Sequence, residues 1–252
     1  MYMNKFLVIA ALALTAAVVT PCESQASGGV TEQNTSLDFP PKINLFQHSH
    51  SVSQCPLWGF PGARIWGWSN NGKVAYSVER EIDGRGGQII NFVILDLLSD
   101  KTVFELKMDS FDNNDVTDES LYNLFSVNIL NALRGHGINQ GRTQFLPFPL
   151  KRNNTEYNAN IIDVEYKSND DGLFDRIVLR YKVSVMANDL GKKIIGTFTP
   201  IENRTGYIYI CGYFLSPFEN RALVVVAEEH WGHEGTELTY RFSGCHLGVG
   251  FK

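Results

Sequence analysis

The run Ile89–Leu97, IINFVILDL, constrains this chain more than any other stretch. It is too apolar to leave one face in water, so it predicts a central strand covered on both sides. Around it lies an antiparallel meander from Trp66 to Met108. Asn70-Asn71-Gly72 tolerates positive φ and turns the chain into a strand over Lys73–Arg80. Ile82–Gln88 is a Gly-rich connection, Ser99-Asp100-Lys101 a second turn, and Thr102–Met108 the returning strand. Ala222–Ala227 is fully apolar and predicts another central strand, with the alternating segment Glu237–Phe242 as its partner. Ile162, Val164 and Tyr166 share one face, and Ile177, Leu179, Tyr181, Val183 and Val185 share another. The turn Ser168–Asp175 joins these into a long hairpin. Lys193–Thr199 and Tyr207–Tyr213 are further strands. One helix is expected, capped by Thr117 or Asp118 and reaching Arg134. Its apolar face is Leu121, Leu124, Phe125, Ile129, Ala132 and Leu133. Asp118 and Glu119 suit its positive end, Arg134 its negative end, and Gly135 ends it. The expected fold class is therefore mainly β (α+β): antiparallel meanders, two packed sheets, and one amphipathic helix near 118–134.

Trp68-Ser69-Asn70-Asn71-Gly72-Lys73-Val74-Ala75-Tyr76 resembles the opening of a TolB-type β-propeller repeat, in which an aromatic-Ser-Pro-Asp-Gly-Lys run leads into a strand. Asn70 and Asn71 stand where the repeat has Pro and Asp. Phe92–Leu97 and the turn at Ser99–Lys101 resemble the later strands of the same blade, so the unit covers 66–108. A fainter echo covers 213–227, where Ser216-Pro217 feeds a strand. Propellers typically close with at least about four blades. Two such units separated by a helix imply blade-like meanders without a closed propeller. The chain as a whole also resembles secreted bacterial proteins, a resemblance that carries no activity with it.

Met1–Ala26 has the layout of a secretory signal peptide. Lys5 supplies the basic start, and Phe6–Val19 is an apolar stretch broken only by Thr15. That stretch is shorter than the roughly twenty residues a membrane span needs. Ser24-Gln25-Ala26 is a small-residue cleavage site. The expectation is an exported protein, periplasmic or secreted, beginning near Ser27. The rival is a lipoprotein cleaved before Cys22, which Pro21 fits poorly. Residues 27–41 read as a flexible tether and 42–252 as a single β-rich domain. Within it, Lys42–Pro61 reads as an ordered loop anchored by Trp58, Phe60 and Trp66. No later segment is long and apolar enough to span a membrane. The formal net charge is −5, and no Lys/Arg cluster exceeds two adjacent residues. Nucleic acid and anionic membranes are therefore excluded as expected partners, because phosphate binding needs concentrated positive charge.

The densest polar cluster is Glu228-Glu229-His230-Trp231-Gly232-His233-Glu234, which follows the apolar strand. His230 and His233, with Glu234 or Glu237, offer a zinc-type ligand set if the loop curls. His48 and His50 can join from the long loop. The pattern is not the helical H-E-x-x-H motif, and solvated loop residues are the commoner use of such a cluster. Glu228 and Glu229 are adjacent in a strand, point to opposite faces, and so cannot form a glycosidase acid–base pair. Asn169-Asp170-Asp171-Gly172-Leu173-Phe174-Asp175 resembles an acidic calcium loop, with Asn169, Asp171 and Asp175 as ligands. Lys167 stands where its first carboxylate belongs and opposes the ion. The competing reading is an Asp-Gly hairpin turn.

With Cys22 removed alongside the signal, Cys55, Cys211 and Cys245 remain. Cys211 lies in a strand and reads as a buried thiol. Cys55–Cys245 is the expected disulfide, both residues being read as surface positions. No nucleophile elbow, P-loop or dinucleotide fingerprint occurs. Four tryptophans and ten tyrosines offer material for a sugar- or peptide-binding face, although core packing is their commoner use. The expected function is an exported, non-catalytic binding or interaction protein with a protein, small-molecule or glycan ligand and no resident cofactor. The alternative is a metal-dependent hydrolase using the His230–Glu237 loop and zinc. Calcium at Asn169–Asp175 would be structural.

Overall fold

Strand alternation sorts the side chains of this protein into layers, and the layers place an open groove between two sheet edges. The computed structural model describes residues 37–46, 61–81, 87–113, 117–141, 143–169, 174–232 and 235–252. The meander forms as the turns dictate: β1 (Ile43–Asn44), β2 (Gly62–Trp68), β3 (Lys73–Glu81), β4 (Gln88–Asp96) and β5 (Lys101–Asp109) pair antiparallel in that order. Two helices follow, α1 (Asp118–Leu124) and α2 (Ser126–Gly135). β6 (Asn139–Gln140) returns beside β2. Then come β7 (Phe145–Leu146), β8 (Leu150–Arg152), β9 (Thr155–Ser168), β10 (Arg176–Ala187), β11 (Gly191–Phe198), β12 (Thr205–Leu215), β13 (Arg221–Trp231) and β14 (Thr236–His246). One hairpin sheet runs β11-β10-β9-β8, and a third sheet runs β14-β13-β12-β7.

The fold is mainly β, with antiparallel sheets, and none of the sheets closes into a barrel or propeller among the described residues. Among the described residues three sheets form rather than two. β13 explains why. Leu223, Val225 and Ala227 face the meander sheet, while Ala222, Val224 and Val226 face the hairpin sheet. A strand apolar on both faces needs a cover on each side, and here both covers are sheets. The meander sheet is likewise covered twice. Val93 and Leu95 of β4 face the third sheet, and Ile90, Phe92 and Ile94 face the helices.

Several local expectations change. The single helix is two, with Phe125 (φ −98°, ψ 10°) between them. Hydrogen bonds Phe125 N–H to Leu121 O and Ile129 N–H to Phe125 O continue across the junction, so the two helices join without a loop. Thr117 caps α1, its hydroxyl accepting from the Ser120 N–H. Leu124 is 59% exposed, and Tyr122 takes the inward place expected of it. In the hairpin, Leu179 is turned out to 43% exposure, and Val178 packs inward instead. The register shifts around Arg180, opposite a positive φ at Asp163, so the inward set on β9 becomes Ala159, Ile161 and Val164. A bulge of this kind swaps faces partway along a strand. Residues 37–41 are no tether. Leu37 is buried, Phe39 packs on Trp66 and Tyr122, and the Pro40 carbonyl accepts from Arg64 Nη1 at 2.6 Å. Apolar Leu37 and Phe39 fill space between β2 and α1. The signal-peptide reading, residues 27–36 and most of the Lys42–Pro61 loop lie outside the described residues.

Glycine is required at one bulge in particular. Gly67 interrupts the β2–β3 register at φ +151°, and a Cβ there would collide with the Asn139 carbonyl of β6. Gly67→Ala is expected to cost about 1–3 kcal/mol, through backbone displacement. Gly135→Ala, which meets nothing within 4 Å, is expected to be close to neutral. Urea denaturation of the two variants checks both.

Candidate functional site

The meander sheet and the third sheet both end in edge strands, β5 and β14, and a groove opens between them. One lobe of about 240 Å³ is lined by Tyr76, Leu95, Thr102, Phe198, Tyr240 and Arg241, among others. A second lobe of about 240 Å³ is lined by Val78, Arg80, Asn91, Val93, Glu105 and Glu202, among others. The lobes share Tyr76, Ile201, Tyr240 and Phe242, so they form one groove. Strand alternation puts these residues there. Tyr76 and Val78 of β3, and Asn91 and Val93 of β4, point away from the helices. Leu238, Tyr240 and Phe242 of β14 point back at them.

Tyr76 and Phe242 lie face to face, with ring centroids 4.1 Å apart and planes 30° apart. Burial, with help from the nearby Glu105 and Asp100 charges, pushes the Tyr76 phenol well above its ordinary range. Burial does the same for Tyr240. Both are therefore neutral hydroxyls at physiological pH. The Tyr240 side chain is 7% exposed, and its hydroxyl has no hydrogen-bond partner among the described residues. The Asn91 Oδ1 atom is likewise buried and unpartnered. The Thr239 Oγ1 atom in the same lobe is also buried and unpartnered, and a buried polar atom left unpaired costs about 1–3 kcal/mol. A pocket with an apolar wall and a few convergent polar groups is the usual form of a ligand site. A larger cavity of about 480 Å³ lies at Lys192, Lys193 and Lys252. There Lys193 Nζ already donates to the Val249 carbonyl at 2.9 Å.

The far wall of the groove is the segment after β11, and a buried carboxylate holds it. Glu228 is fully buried. Its Oε1 accepts from the Tyr181 hydroxyl at 2.5 Å and from Arg241 Nε at 3.0 Å, and its Oε2 accepts from the Ile201 N–H at 2.6 Å. Arg241 Nη2 donates to the Thr199 carbonyl at 2.8 Å and its guanidinium stacks over Phe198. On the opposite side of the groove, Asp100 accepts from the Ser243 hydroxyl and the Gly244 N–H, both at 2.7 Å, tying the β4–β5 turn to β14.

The residues singled out by sequence fall elsewhere. Glu228 and Glu229 point to opposite faces, as strand geometry requires. Glu228 meets Tyr181, and Glu229 accepts from the Tyr209 hydroxyl at 2.6 Å. His230 and Glu237 are direct cross-strand partners on β13 and β14. His230 is buried, and its Nε2 has no hydrogen-bond partner among the described residues. His233 and Glu234 lie outside the described residues, as do His48 and His50. Among the described residues no group of three or more His, Cys, Asp or Glu side chains is arranged to hold a metal. At the hairpin turn the Asn169 N–H donates to the Asp175 carbonyl, and the Asn169 side-chain amide donates to the Phe174 carbonyl at 3.0 Å. Asp171 lies outside the described residues. Cys245 is not at the surface. It is fully buried between β13 and the hairpin sheet, and burial pushes its thiol up to about 11. Cys211 is buried as expected, its thiol pushed up to about 12. Cys55 lies outside the described residues. No helix among the described residues is long and apolar enough to cross a membrane.

The groove itself is not legible in the sequence, but one signal points at it. Asn91 is the lone amide in a run that must be covered on both faces. No protein-family model, no curated protein and no solved structure matches this chain.

Proposed function

We propose that this is an exported binding protein whose ligand seats in the groove between β5 and β14. The observation that carries the reading is the groove itself, two contiguous lobes walled by Tyr76, Val93, Leu238, Tyr240 and Phe242 between two edge strands. Two further features support it. The buried carboxylates Glu79, Glu228 and Glu229 are all engaged in holding strands and layers to one another. The leader-like Met1–Ala26 and the TolB-like β2–β5 meander suit an exported interaction module. The reading is non-catalytic because the groove's polar groups are neutral acceptors and hydroxyls with rim charges, rather than a nucleophile beside a base.

The rival, a metal-dependent hydrolase, rests on His230 Nε2, buried and unpartnered opposite Glu237. One experiment separates them. The mature protein is screened by thermal shift against sugars, amino acids, short peptides, amines and fatty acids, alongside Asn91→Tyr, which fills the groove. A ligand at a hundred times its Kd stabilises by about 2.7 kcal/mol, a clear rise in Tm. The rise is expected in the wild type and absent in Asn91→Tyr. An equal rise in both proteins would sink the groove reading. Elemental analysis of the same sample, showing stoichiometric zinc that His230→Ala loses, would transfer the bet to the hydrolase.

A further inference from the structure

We infer that Lys42 and Asp118 join spontaneously through an amide bond between their side chains, with Glu79 carrying the proton. The inference is independent of what the groove binds. Three side chains from three parts of the chain converge on the helix side of the meander sheet: Lys42 ahead of β1, Glu79 on β3, and Asp118 in the first turn of α1. Lys42 Nζ lies 3.0 Å from Glu79 Oε2 and 3.7 Å from Asp118 Oδ2. The second distance is close to the separation of about 3–3.5 Å from which held groups react. The Lys42 stem runs over Gly62, where a Cβ would collide with its methylenes. Gly62 therefore keeps open the slot that aims the amine at the two carboxyls. On the other Glu79 oxygen sit Arg64 and the Tyr122 hydroxyl, which donates at 2.8 Å.

The two carboxyls are suited to different roles. Burial, then the Glu79 charge, raises the Asp118 carboxyl, and a hydrogen bond shared with Glu79 favours its protonated form. A carboxylic acid is a far better acyl donor than a carboxylate. Burial alone would raise Glu79, but the hydrogen bonds from Arg64, Lys42 and Tyr122 hold it low, so it stays an ionised base. Arg64 is thus a positioning residue. In the reaction the Lys42 ammonium gives a proton to Glu79 Oε2, and the freed lone pair attacks Asp118 Cγ. A C–N bond forms. Glu79 passes a proton to the departing hydroxyl, the C–O bond breaks, and one water leaves. Nothing is oxidised or reduced. Glu79 has no exposed side-chain surface, and Phe39, Trp66 and Tyr122 pack together beside it, which disfavours the reverse hydrolysis. The bond closes residues 42–118 into a ring that contains β1–β5.

The test is made on the full mature chain after incubation at neutral pH. Its intact mass is expected to fall short of the sequence mass by one water. Cyanogen bromide cuts after Met108, between the two joined residues, so the pieces on either side are expected to stay together on a denaturing gel. Tandem mass spectrometry is expected to find the branch at Lys42 and Asp118. Lys42→Arg and Asp118→Ala are expected to show their full sequence masses and to separate at Met108, and Lys42→Arg to melt at a lower Tm, because a constraint on the unfolded chain is gone. Glu79→Gln, checked for folding by circular dichroism, is expected to slow the joining at least about a hundredfold. If it does not fold, the other two variants carry the test. A wild-type mass equal to the sequence mass, with pieces that separate, overturns the proposal. A missing water that persists in Lys42→Arg overturns it as well. A branch from Lys42 to Glu79, which leaves the Met108 pieces separate, overturns the assigned roles, as does an unchanged rate in folded Glu79→Gln.

Discussion

Glu79→Ala is expected to destabilise the protein by about 3–5 kcal/mol, because it strands the largely buried Arg64 guanidinium without its carboxylate. The Glu79 side chain is fully buried on the helix side of the meander sheet. It pairs with Arg64 from β2 and with Lys42 at 3.0 Å, and it accepts from the Tyr122 hydroxyl of α1 at 2.8 Å. A hydrogen-bonded chain leads to it. Trp66 Nε1 donates to Ser77 Oγ at 3.0 Å, and Ser77 lies 2.7 Å from Tyr122. One carboxylate thus fastens residues 40–42, β2, β3 and α1 together. Urea denaturation at pH 7 measures the loss. Replacing Arg64 alone is expected to cost a similar amount, and the double variant less than the sum, since partners in one network do not add.

The same residue gives a pH dependence. Burial alone would raise the Glu79 carboxyl, but the hydrogen bonds from Arg64, Lys42 and Tyr122, with the Arg64 charge, hold it below its ordinary value. A carboxyl lowered on folding contributes stability above its unfolded value, about 4.3. That contribution is lost as pH falls through the lower folded value. Asp118, beside Lys42, opposes this in part, since burial and the Glu79 charge raise its carboxyl. The net expectation is that Glu79→Gln loses less stability than the wild type as pH falls from about 5 to about 2, roughly the window below the unfolded value. A steeper acid loss in Glu79→Gln would contradict the assignment.

Glu228→Ala is expected to cost a comparable 3–5 kcal/mol or so, with a second consequence that Glu79→Ala lacks. It leaves the Tyr181 hydroxyl, the Arg241 guanidinium and the Ile201 N–H without their shared acceptor. Tyr181 is fully buried between sheets, so the third sheet and the hairpin sheet both lose a tie. The Thr199–Ile201 segment is also released from its backbone anchor, and with it the far wall of the groove. Amide exchange at Ile201 is expected to accelerate in Glu228→Ala, and ligand binding in the groove to fall, although Glu228 does not line it. Glu228→Gln keeps one acceptor oxygen, for Tyr181 or for Ile201 but not for both, and loses the ion pair, so only part of the cost is recovered. Replacing the pair together with apolar residues, Glu228→Leu with Arg241→Met, is expected to recover part of the stability. Unchanged exchange at Ile201 in Glu228→Ala would remove the carboxylate from its wall-holding role.

The turn at Asn70–Gly72, the strands it joins, the long hairpin closed near Ser168–Asp175 and the pairing of Ala222–Ala227 with Glu237–Phe242 are all readable from residue order. Each depends on contacts between neighbours in sequence, where turn chemistry and period-two alternation act directly. The two continuous apolar runs also declared themselves central, because no half-exposed strand tolerates such a pattern. Tertiary contact decided the remainder. Periodicity states that a face is buried but not what covers it, so the third sheet was invisible. Leu179 and Val178 exchange faces through a register shift with β9, and Leu124 and Tyr122 exchange places where the helix is interrupted at Phe125. Glu79 and Glu228 read as ordinary charged residues on strands, and only their distant partners Arg64, Tyr122, Tyr181 and Arg241 make their burial tolerable. The groove belongs wholly to this second class. Asn91 and Tyr240 lie on different sheets, far apart in the chain, and stacking two independently twisted sheets leaves a gap between them that no local rule describes.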